Sequence, residues 1–194
     1  MLTNLTTNFK KYLNDLGSMN DETFNLSLNY IKTQNLKKND YFIAEGKVCN
    51  SIAFINKGLF RIFYIKDGIE INTCFCKENS ITSSLDSFIN RVSSKENIQA
   101  LEDAELITLS YQNLMKLYEL SPDWQKLSRI LTEKECLRLS NRLTSLTFET
   151  VKEKYLNLLE TQPEIIQRVS IQHIASYLGV SRETLSRIRS QIEL

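Results

Sequence analysis

The sequence predicts an α+β protein with an antiparallel β region, a long helix and a closing pair of short helices. Three observations support this fold class. Residues 36–109 contain Ile-, Phe-, Tyr- and Val-rich runs separated by glycines. Residues 123–148 contain neither Gly nor Pro, and residues 170–192 place two apolar-faced segments on either side of Gly179. The order along the chain is therefore strands first, then the long helix, then the helix pair.

Length and composition set the first limits on function. The chain has 194 residues, of which 42% are hydrophobic and 24% charged, with a net charge of +1. Such a small charge creates no overall field toward nucleic acid or anionic lipid, so binding of either would need a local patch. No apolar run approaches the roughly 18–20 residues that span a bilayer, and the N-terminus has no apolar signal core. We expect a cytoplasmic protein with no membrane partner.

Two amphipathic helices are predicted before the β region. The first ends at Gly17, a typical C-terminal stop. The second begins near Ser18, Asn20 or Asp21, all of which are residue types that cap helix N-termini.

The β region contains one strong hairpin pattern. Two strand-like runs flank Asp67-Gly68, the dipeptide preferred in a type I′ turn. Further short strands are predicted at residues 52–55, 97–101 and 104–109. Many short strands with glycine turns are typical of an antiparallel sandwich or barrel.

A long helix is predicted to follow, with Ser121 as its cap and Pro122 in its first turn. Its apolar residues recur at rough helical spacing over residues 123–148, and a further helix is predicted over residues 149–160. An apolar stripe on so long a helix needs a partner. The stripe could pack on the chain's own sheet or pair with a second copy, and the second alternative is favoured.

Residues 170–192 fit a helix-turn-helix. Ser170 and Ser181 can cap the two helices, Ala175 is small where they approach, and Gly179 supplies the turn. The inward positions are apolar throughout; they are Ile174, Leu178, Val180, Leu185 and Ile188.

The outward face of the second helix predicts double-stranded DNA as partner. Arg182 and Arg187 can bond guanine and Glu183 can accept from cytosine, so these three are the candidate base readers. His173 is either a phosphate contact or a plain solvated residue, and the second is favoured. Candidate phosphate or secondary contacts are Ser170, Ser181, Thr184, Ser186 and Arg189.

With these residues in place, the sequence resembles the Crp/Fnr family of bacterial transcription regulators along nearly its whole length, and SRETLSR is similar to that family's recognition helix. The resemblance implies a cyclic-nucleotide-binding-like jelly-roll sensor domain (1–120), a long dimerisation helix (121–148) and a winged helix-turn-helix domain (149–194). It also implies a cytoplasmic homodimer that binds inverted repeats. Any wing is expected from the PEIIQRV segment, residues 163–169.

The sequence departs from that family where cyclic-nucleotide-binding members hold the cyclic phosphate and ribose. Those members carry Gly-Glu-Leu and later Arg-Ser or Arg-Thr. Here Ser83 and Ser84 lie near the first motif and Lys95 near the second. Arg91 or Lys95 could supply the cation, but nothing replaces the glutamate. We expect no response to cyclic AMP or cyclic GMP, and these four residues are a candidate pocket for an unidentified small effector.

The cysteines and the single histidine exclude several classes of site. The four cysteines form no CxxC pair, and His173 lies outside the β region. A zinc site, a metal-dependent jelly-roll enzyme and a Ser-His-Asp site are therefore not expected, nor is any cofactor. Cys74 and Cys76 should share one strand face with Glu70 and Asn72. Whether these two cysteines are redox-active is left open, and unreactive thiols are the favoured alternative.

The primary hypothesis is a homodimeric DNA-binding regulator and not an enzyme. The alternative is a small-molecule-binding sensor module whose helix-turn-helix no longer binds DNA.

Overall fold

Two helices precede the sheets in the computed structural model, which describes residues 2–17 and 19–192. They are α1 (Leu2–Gly17) and α2 (Asp21–Ser27). Asn20 caps α2, since its Oδ1 accepts a 2.7 Å hydrogen bond from the Thr23 backbone N–H. Ser18, the other candidate start, lies outside the described residues.

Eight strands form two four-stranded antiparallel sheets, as the glycine-punctuated pattern predicts. The sheet orders are β1-β8-β3-β6 and β2-β7-β4-β5. The main core lies between the sheets and extends under α1. The strands are β1 (Ile31–Leu36), β2 (Tyr41–Ile43), β3 (Ser51–Lys57), β4 (Phe60–Lys66), β5 (Ile69–Cys76), β6 (Ser80–Thr82), β7 (Asn97–Ala100) and β8 (Ala104–Ser110).

The predicted hairpin joins β4 and β5. Asp67 and Gly68 both have positive φ, at 52° and 77°, as a type I′ turn requires. Lys66 pairs with Ile69 across this turn. The local sequence therefore determines the register at the tip of the hairpin.

A β-bulge changes which residues share a face of β5. Ile62 pairs with Cys74, whereas the next residue, Phe63, pairs with Asn72, so Thr73 is the extra residue. Because adjacent strand residues point to opposite faces, the bulge separates Cys74 from Asn72. The expectation that the two cysteines of β5 share a face with Glu70 and Asn72 is wrong, and both thiols instead lie on the opposite face, where Cys76 packs against the main core.

Three helices follow the strands or lie between them. They are α3 (Leu85–Asn90), α4 (Tyr111–Leu120) and α5 (Pro122–Phe148). The helix α5 begins as predicted, because Ser121 Oγ accepts a hydrogen bond from the Asp123 backbone N–H at 3.2 Å.

The two halves of α5 have different environments. Trp124 and Leu127 are buried in the main core. Leu137 and Leu143, in the second half, are 65% and 67% exposed. The helix thus packs on its own sheet at its start, and its later leucines have no cover within the described chain.

The final helices pack on each other and on the sheet. They are α6 (Val151–Thr161), α7 (Pro163–Arg168), α8 (Ile171–Leu178) and α9 (Arg182–Ile192). The expected wing is wrong for 163–168, which is helical because Pro163 suits the first helical position. Among described residues after 149 no strand is found.

A second core joins the final helices to the sheet. Leu59 and Phe75 of the β region pack in it with Ile165 and Ile174. Across the same junction, the Arg168 guanidinium binds the carboxylates of Glu78 and Glu102, with NH2 to oxygen distances of 2.8 Å and 2.6 Å. Within the described residues, no helix is both long and apolar enough to cross a membrane.

Candidate nucleic-acid interface

The helix α8 is fixed at both ends by its own sequence. Ser170 Oγ accepts a 3.3 Å hydrogen bond from the His173 backbone N–H. At the other end Gly179 has a φ of +77°, a left-handed conformation that glycine adopts without strain. The Val180 N–H then bonds the Ala175 carbonyl at 3.0 Å, which turns the chain tightly into α9.

The inner face of α9 is anchored in the second core. Leu185 has no exposed surface, and Ile188 packs beside it. Ser181 caps the helix, since its Oγ accepts a 3.2 Å hydrogen bond from the Thr184 backbone N–H. The core and the cap together set how α9 is rotated about its axis.

The three candidate base readers are exposed on the opposite side of α9. Arg182, Glu183 and Arg187 all have exposed side chains. At about 100° per residue they span about 140° of the helix, away from Leu185 and Ile188. Two guanidinium groups and one carboxylate are thus presented on the same side of α9.

Glu183 is held in its charged form. Its own backbone N–H and then the Ser181 hydroxyl bond its carboxylate and hold its pKa below the ordinary value, with Arg182 and Arg187 adding positive charge. An ionised carboxylate is the form that accepts hydrogen bonds. This group can therefore accept from an exocyclic amine of a base.

The candidate secondary contacts fall into two groups. Four are exposed, two of them at the helix starts; they are Ser170, Ser181, Thr184 and Ser186. Arg189 is half-buried and lies toward the apolar flank of α9. Exposed hydroxyls beside helix N-termini suit phosphate oxygens, whereas Arg189 is less well placed.

His173 is not the solvated residue that the sequence favoured. It is half-buried, and its Nδ1 lies 3.3 Å from NH1 of Arg61 on β4. Burial, and then the Arg61 charge, lower the pKa of His173. The neutral ring therefore faces the sheet and contacts the β region.

Arg61 itself was missed by sequence reasoning. It is only 4% exposed, and its Nε and NH2 donate to Gln99 Oε1 at 2.9 Å and 2.7 Å. It also binds the Glu70 carboxylate. An arginine on the outer face of a strand would ordinarily be solvated, so the one available signal was its position between apolar neighbours. Burial here comes from α8, which covers this face of the sheet.

Three of the four candidate effector residues, Ser83, Ser84 and Arg91, are hydrogen-bonded within the protein. Ser84 is buried and its Oγ lies 2.9 Å from Ser94 Oγ. Ser83 Oγ donates to the Ser51 carbonyl at 3.3 Å. Lys95 is exposed. The two serines thus already have partners within the protein.

Arg91 is also engaged in the protein. It follows α3 in a left-handed conformation with a φ of 57°. Its NH1 donates to the Cys49 carbonyl at 2.8 Å and to the Phe88 carbonyl at 3.2 Å, and its NH2 bonds Asn50. The guanidinium therefore ties neighbouring loops together, a role that a ligand phosphate would have to displace.

No group of three or more His, Cys, Asp or Glu side chains that could hold a metal ion occurs in residues 2–17 and 19–192.

Comparison with known proteins agrees with this architecture. The sequence profile of the cyclic nucleotide-binding domain matches residues 33–121. No curated protein sequence matches the chain significantly.

Similar solved structures cover most of the chain. FixK2 from Bradyrhizobium japonicum has a TM-score of 0.70 at 19% identity, covering 84% of each chain. The c-di-GMP responsive global regulator CLP from Xanthomonas campestris has a TM-score of 0.68 at 21% identity, covering 90% of this chain and 92% of CLP. A protein from Eubacterium rectale assigned to the crp/fnr family of transcriptional regulators has a TM-score of 0.71 at 17% identity, covering 90% of this chain and 85% of its own. Residues 33–121 are thus a match to the cyclic nucleotide-binding domain, within a chain that has the fold of Crp/Fnr-type regulators.

Proposed function

We propose that this chain is a homodimeric, sequence-specific DNA-binding transcription regulator that reads an inverted repeat with α9 and does not respond to cyclic AMP or cyclic GMP. The α8–α9 pair is its helix-turn-helix. One observation carries the proposal: Arg182, Glu183 and Arg187 are exposed on α9 while the opposite side of that helix is locked into a core. A helix held in this way can enter the major groove with its N-terminal half toward the base edges.

The second half of α5 supports the dimer. Five exposed residues alternate at spacings of four and three along it, the pattern of a two-stranded coiled coil; they are Thr132, Cys136, Leu139, Leu143 and Leu146. The three leucines are 49%, 67% and 50% exposed. We call these five residues the α5 seam. A second copy would bury the seam, and two α9 helices would then meet half-sites about 34 Å apart.

The pocket residues support the absence of a cyclic-nucleotide response. A cyclic phosphate in a partly buried site needs a paired cation. Arg91 bonds three groups of the protein and Lys95 is exposed. Titration calorimetry with cyclic AMP and cyclic GMP should give no binding heat; micromolar binding would contradict this part of the proposal.

Selection of bound sites from random DNA tests the DNA-binding role. We expect two half-sites related by a dyad, and enrichment of single sites would count against the dimer. Arg182→Ala should weaken binding to the selected site by about 1–3 kcal/mol and relax the preference at one base position. Lys32→Ala is the matched control, because it removes one exposed positive charge from β1, on the sheet.

Salt dependence separates this role from that of a sensor module without DNA affinity. A gel-shift titration at about 0.05 and 0.2 M salt should show affinity that falls steeply with salt. Arg168 on α7 is paired with the carboxylates of Glu78 and Glu102, so it adds no net positive charge to the surface of the final helices. Within the α8–α9 pair, the positive charge available for DNA therefore comes from the arginines of α9. Absence of a shift at both salt concentrations would favour the sensor module.

A further inference from the structure

Two thiols on β5 lie in contact. Cys74 and Cys76 are two residues apart in the regularly paired part of β5 and so share a face, and their Sγ atoms are 3.9 Å apart. Both cysteines are reduced and partly exposed. The other two cysteines differ in setting, since Cys49 is buried in the loop before β3 and Cys136 is exposed on α5.

The pair lies beside a cleft and a positive charge. Cys74 lines a cleft of about 210 Å³ between β5, α5 and α6, and Arg138 of α5 lines the same cleft. Solvent and small solutes can therefore reach the Cys74 side of the pair. A cation beside a thiol favours the thiolate, the reactive form of cysteine.

The two thiols are chemically unequal. The hydrogen bond with Cys76 lowers the pKa of Cys74 and burial opposes it; Arg138, which is paired with Glu135, has a smaller lowering effect that the carboxylates of Glu135 and Glu96 oppose. The same hydrogen bond, and then burial, raise the pKa of Cys76 well above its ordinary value. Cys74 is thus suited to attack an oxidant and Cys76 to react second.

We propose that Cys74 and Cys76 form a peroxide-sensitive oxidation site that closes to an intramolecular disulfide. In the first step the Cys74 sulfur attacks one oxygen of hydrogen peroxide, an S–O bond forms and the O–O bond breaks. The released hydroxide takes up the proton that the Cys74 thiol gave up on ionising and leaves as water. In the second step the Cys76 sulfur attacks the Cys74 sulfenic acid, an S–S bond replaces the S–O bond, and the hydroxide leaves with the Cys76 proton as a second water. The two sulfurs together lose two electrons, which reduce the peroxide.

Closing this bridge must deform β5. Residues two apart on an extended strand are separated by about 6.6 Å at their Cα atoms, near the upper limit of the 4.4–6.8 Å seen in disulfides. The bridge therefore draws the strand together at its middle residue. That residue is Phe75, which packs in the second core with its ring centroid 5.4 Å from that of Tyr177 on α8.

The deformation reaches the contacts that dock α8. The Asn72 backbone N–H donates to Ser176 Oγ at 3.0 Å, and Ser176 Oγ donates to the Glu70 carbonyl at 2.8 Å. Both hydrogen bonds join Ser176 of α8 to backbone groups of β5 that lie within a few residues of the two thiols. Oxidation is therefore expected to loosen α8 from the sheet. If α8 and α9 bind DNA, as the proposed function states, oxidation should also change the affinity for DNA.

Mass spectrometry of the full chain tests the site directly. After peroxide and alkylation, the peptide spanning residues 74–76 should lose both alkyl labels and about 2 Da relative to its two free thiols. Cys136→Ser should behave like the wild type. In Cys76→Ser a dimedone adduct should form at Cys74, whereas Cys74→Ser should form none at Cys76. Two labels retained on this peptide, or sulfinic acid without a disulfide, would overturn the proposal.

Hydrogen exchange gives a second readout that does not need DNA. Amides of α8 should exchange faster in the oxidised wild type and be unchanged by peroxide in Cys76→Ser. Equal exchange in both oxidised proteins would overturn the coupling to α8. Failure of the reduced protein to bind any selected DNA would count against the proposed function, while the mass measurement would still decide the oxidation site.

Discussion

Replacement of Arg168 by Met should loosen the junction between the final helices and the sheet. The guanidinium makes four hydrogen bonds of 2.6–3.0 Å to Glu78 and Glu102, and its side chain is only 27% exposed. Methionine keeps most of the stem volume but leaves both carboxylates without their cation. The variant therefore isolates the charge interaction from packing.

The magnitude follows from Glu78. Its hydrogen bond from Arg168 lowers its pKa from 4.5 to about 2, although burial opposes this and backbone N–H groups contribute. This interval corresponds to about 3.4 kcal/mol, at about 1.36 kcal/mol for each pH unit. Backbone N–H groups contribute part of this free energy, and the Glu78 carboxylate is partly solvated. We therefore expect Arg168 to contribute about 2 kcal/mol to the free energy of unfolding. In a chain of this size that lowers the melting temperature by about 4–8 °C.

The pH dependence has a definite sign. Because the pKa of Glu78 is lower in the folded state, its stabilisation is fully present above 4.5 and is lost as the pH falls toward about 2. The difference between wild type and Arg168→Met should therefore be large at neutral pH and fall to about half or less near about pH 3.

Thermal denaturation followed by circular dichroism at both pH values is the assay. Lys37→Met is the control, because it breaks the Lys37–Asp103 ion pair, which is exposed, and should leave the midpoint unchanged. Equal melting temperatures of Arg168→Met and wild type at neutral pH would refute the reasoning, as would a difference that persists undiminished in acid.

Two further predictions concern the dimer and the turn. In a parallel pair of α5 helices, Cys136 on the α5 seam faces its own copy, so mild oxidation should give a covalent dimer on a non-reducing gel. Cys136→Ser should abolish this dimer and Cys49→Ser should not; a wild type that stays monomeric on the gel would contradict the parallel seam. Gly179→Ala should lower the free energy of unfolding by about 1–2 kcal/mol, since φ is +77° and an added Cβ meets no atom within 4 Å. Urea denaturation measures this, and an unchanged midpoint would show that the turn tolerates a side chain.

The elements that the sequence predicts well are those determined by neighbouring residues. The Asp67-Gly68 turn, the Ser121 cap of α5 and the Gly179 turn depend on local chemistry, and the structure contains all three. The exposure of Arg182 on α9 likewise follows from helical spacing. Its contact with DNA stays a prediction, as do the domain boundaries and the dimer.

The features that escaped prediction depend on distant residues. An extra residue such as Thr73 changes the faces of β5 only through its pairing with β4, and nothing in the β5 sequence marks it. Arg61 and His173 are 112 positions apart and meet only because α8 packs on the sheet. The error over the wing at residues 163–169 has a local cause. Pro163 favours the first position of a helix over a strand, and the prediction did not take this signal into account.

The shared second core has a practical consequence for chimeric proteins. Phe75 and Leu59 complete the apolar interior of the last four helices, so those helices, cut away by themselves, would expose part of their own hydrophobic surface. Transplanting them onto another β domain would succeed only if that domain offered an equivalent aromatic and an equivalent aliphatic side chain for them to pack on. A chimera that carries the last four helices should therefore also carry Leu59 and Phe75, the residues of the β region on which those helices pack.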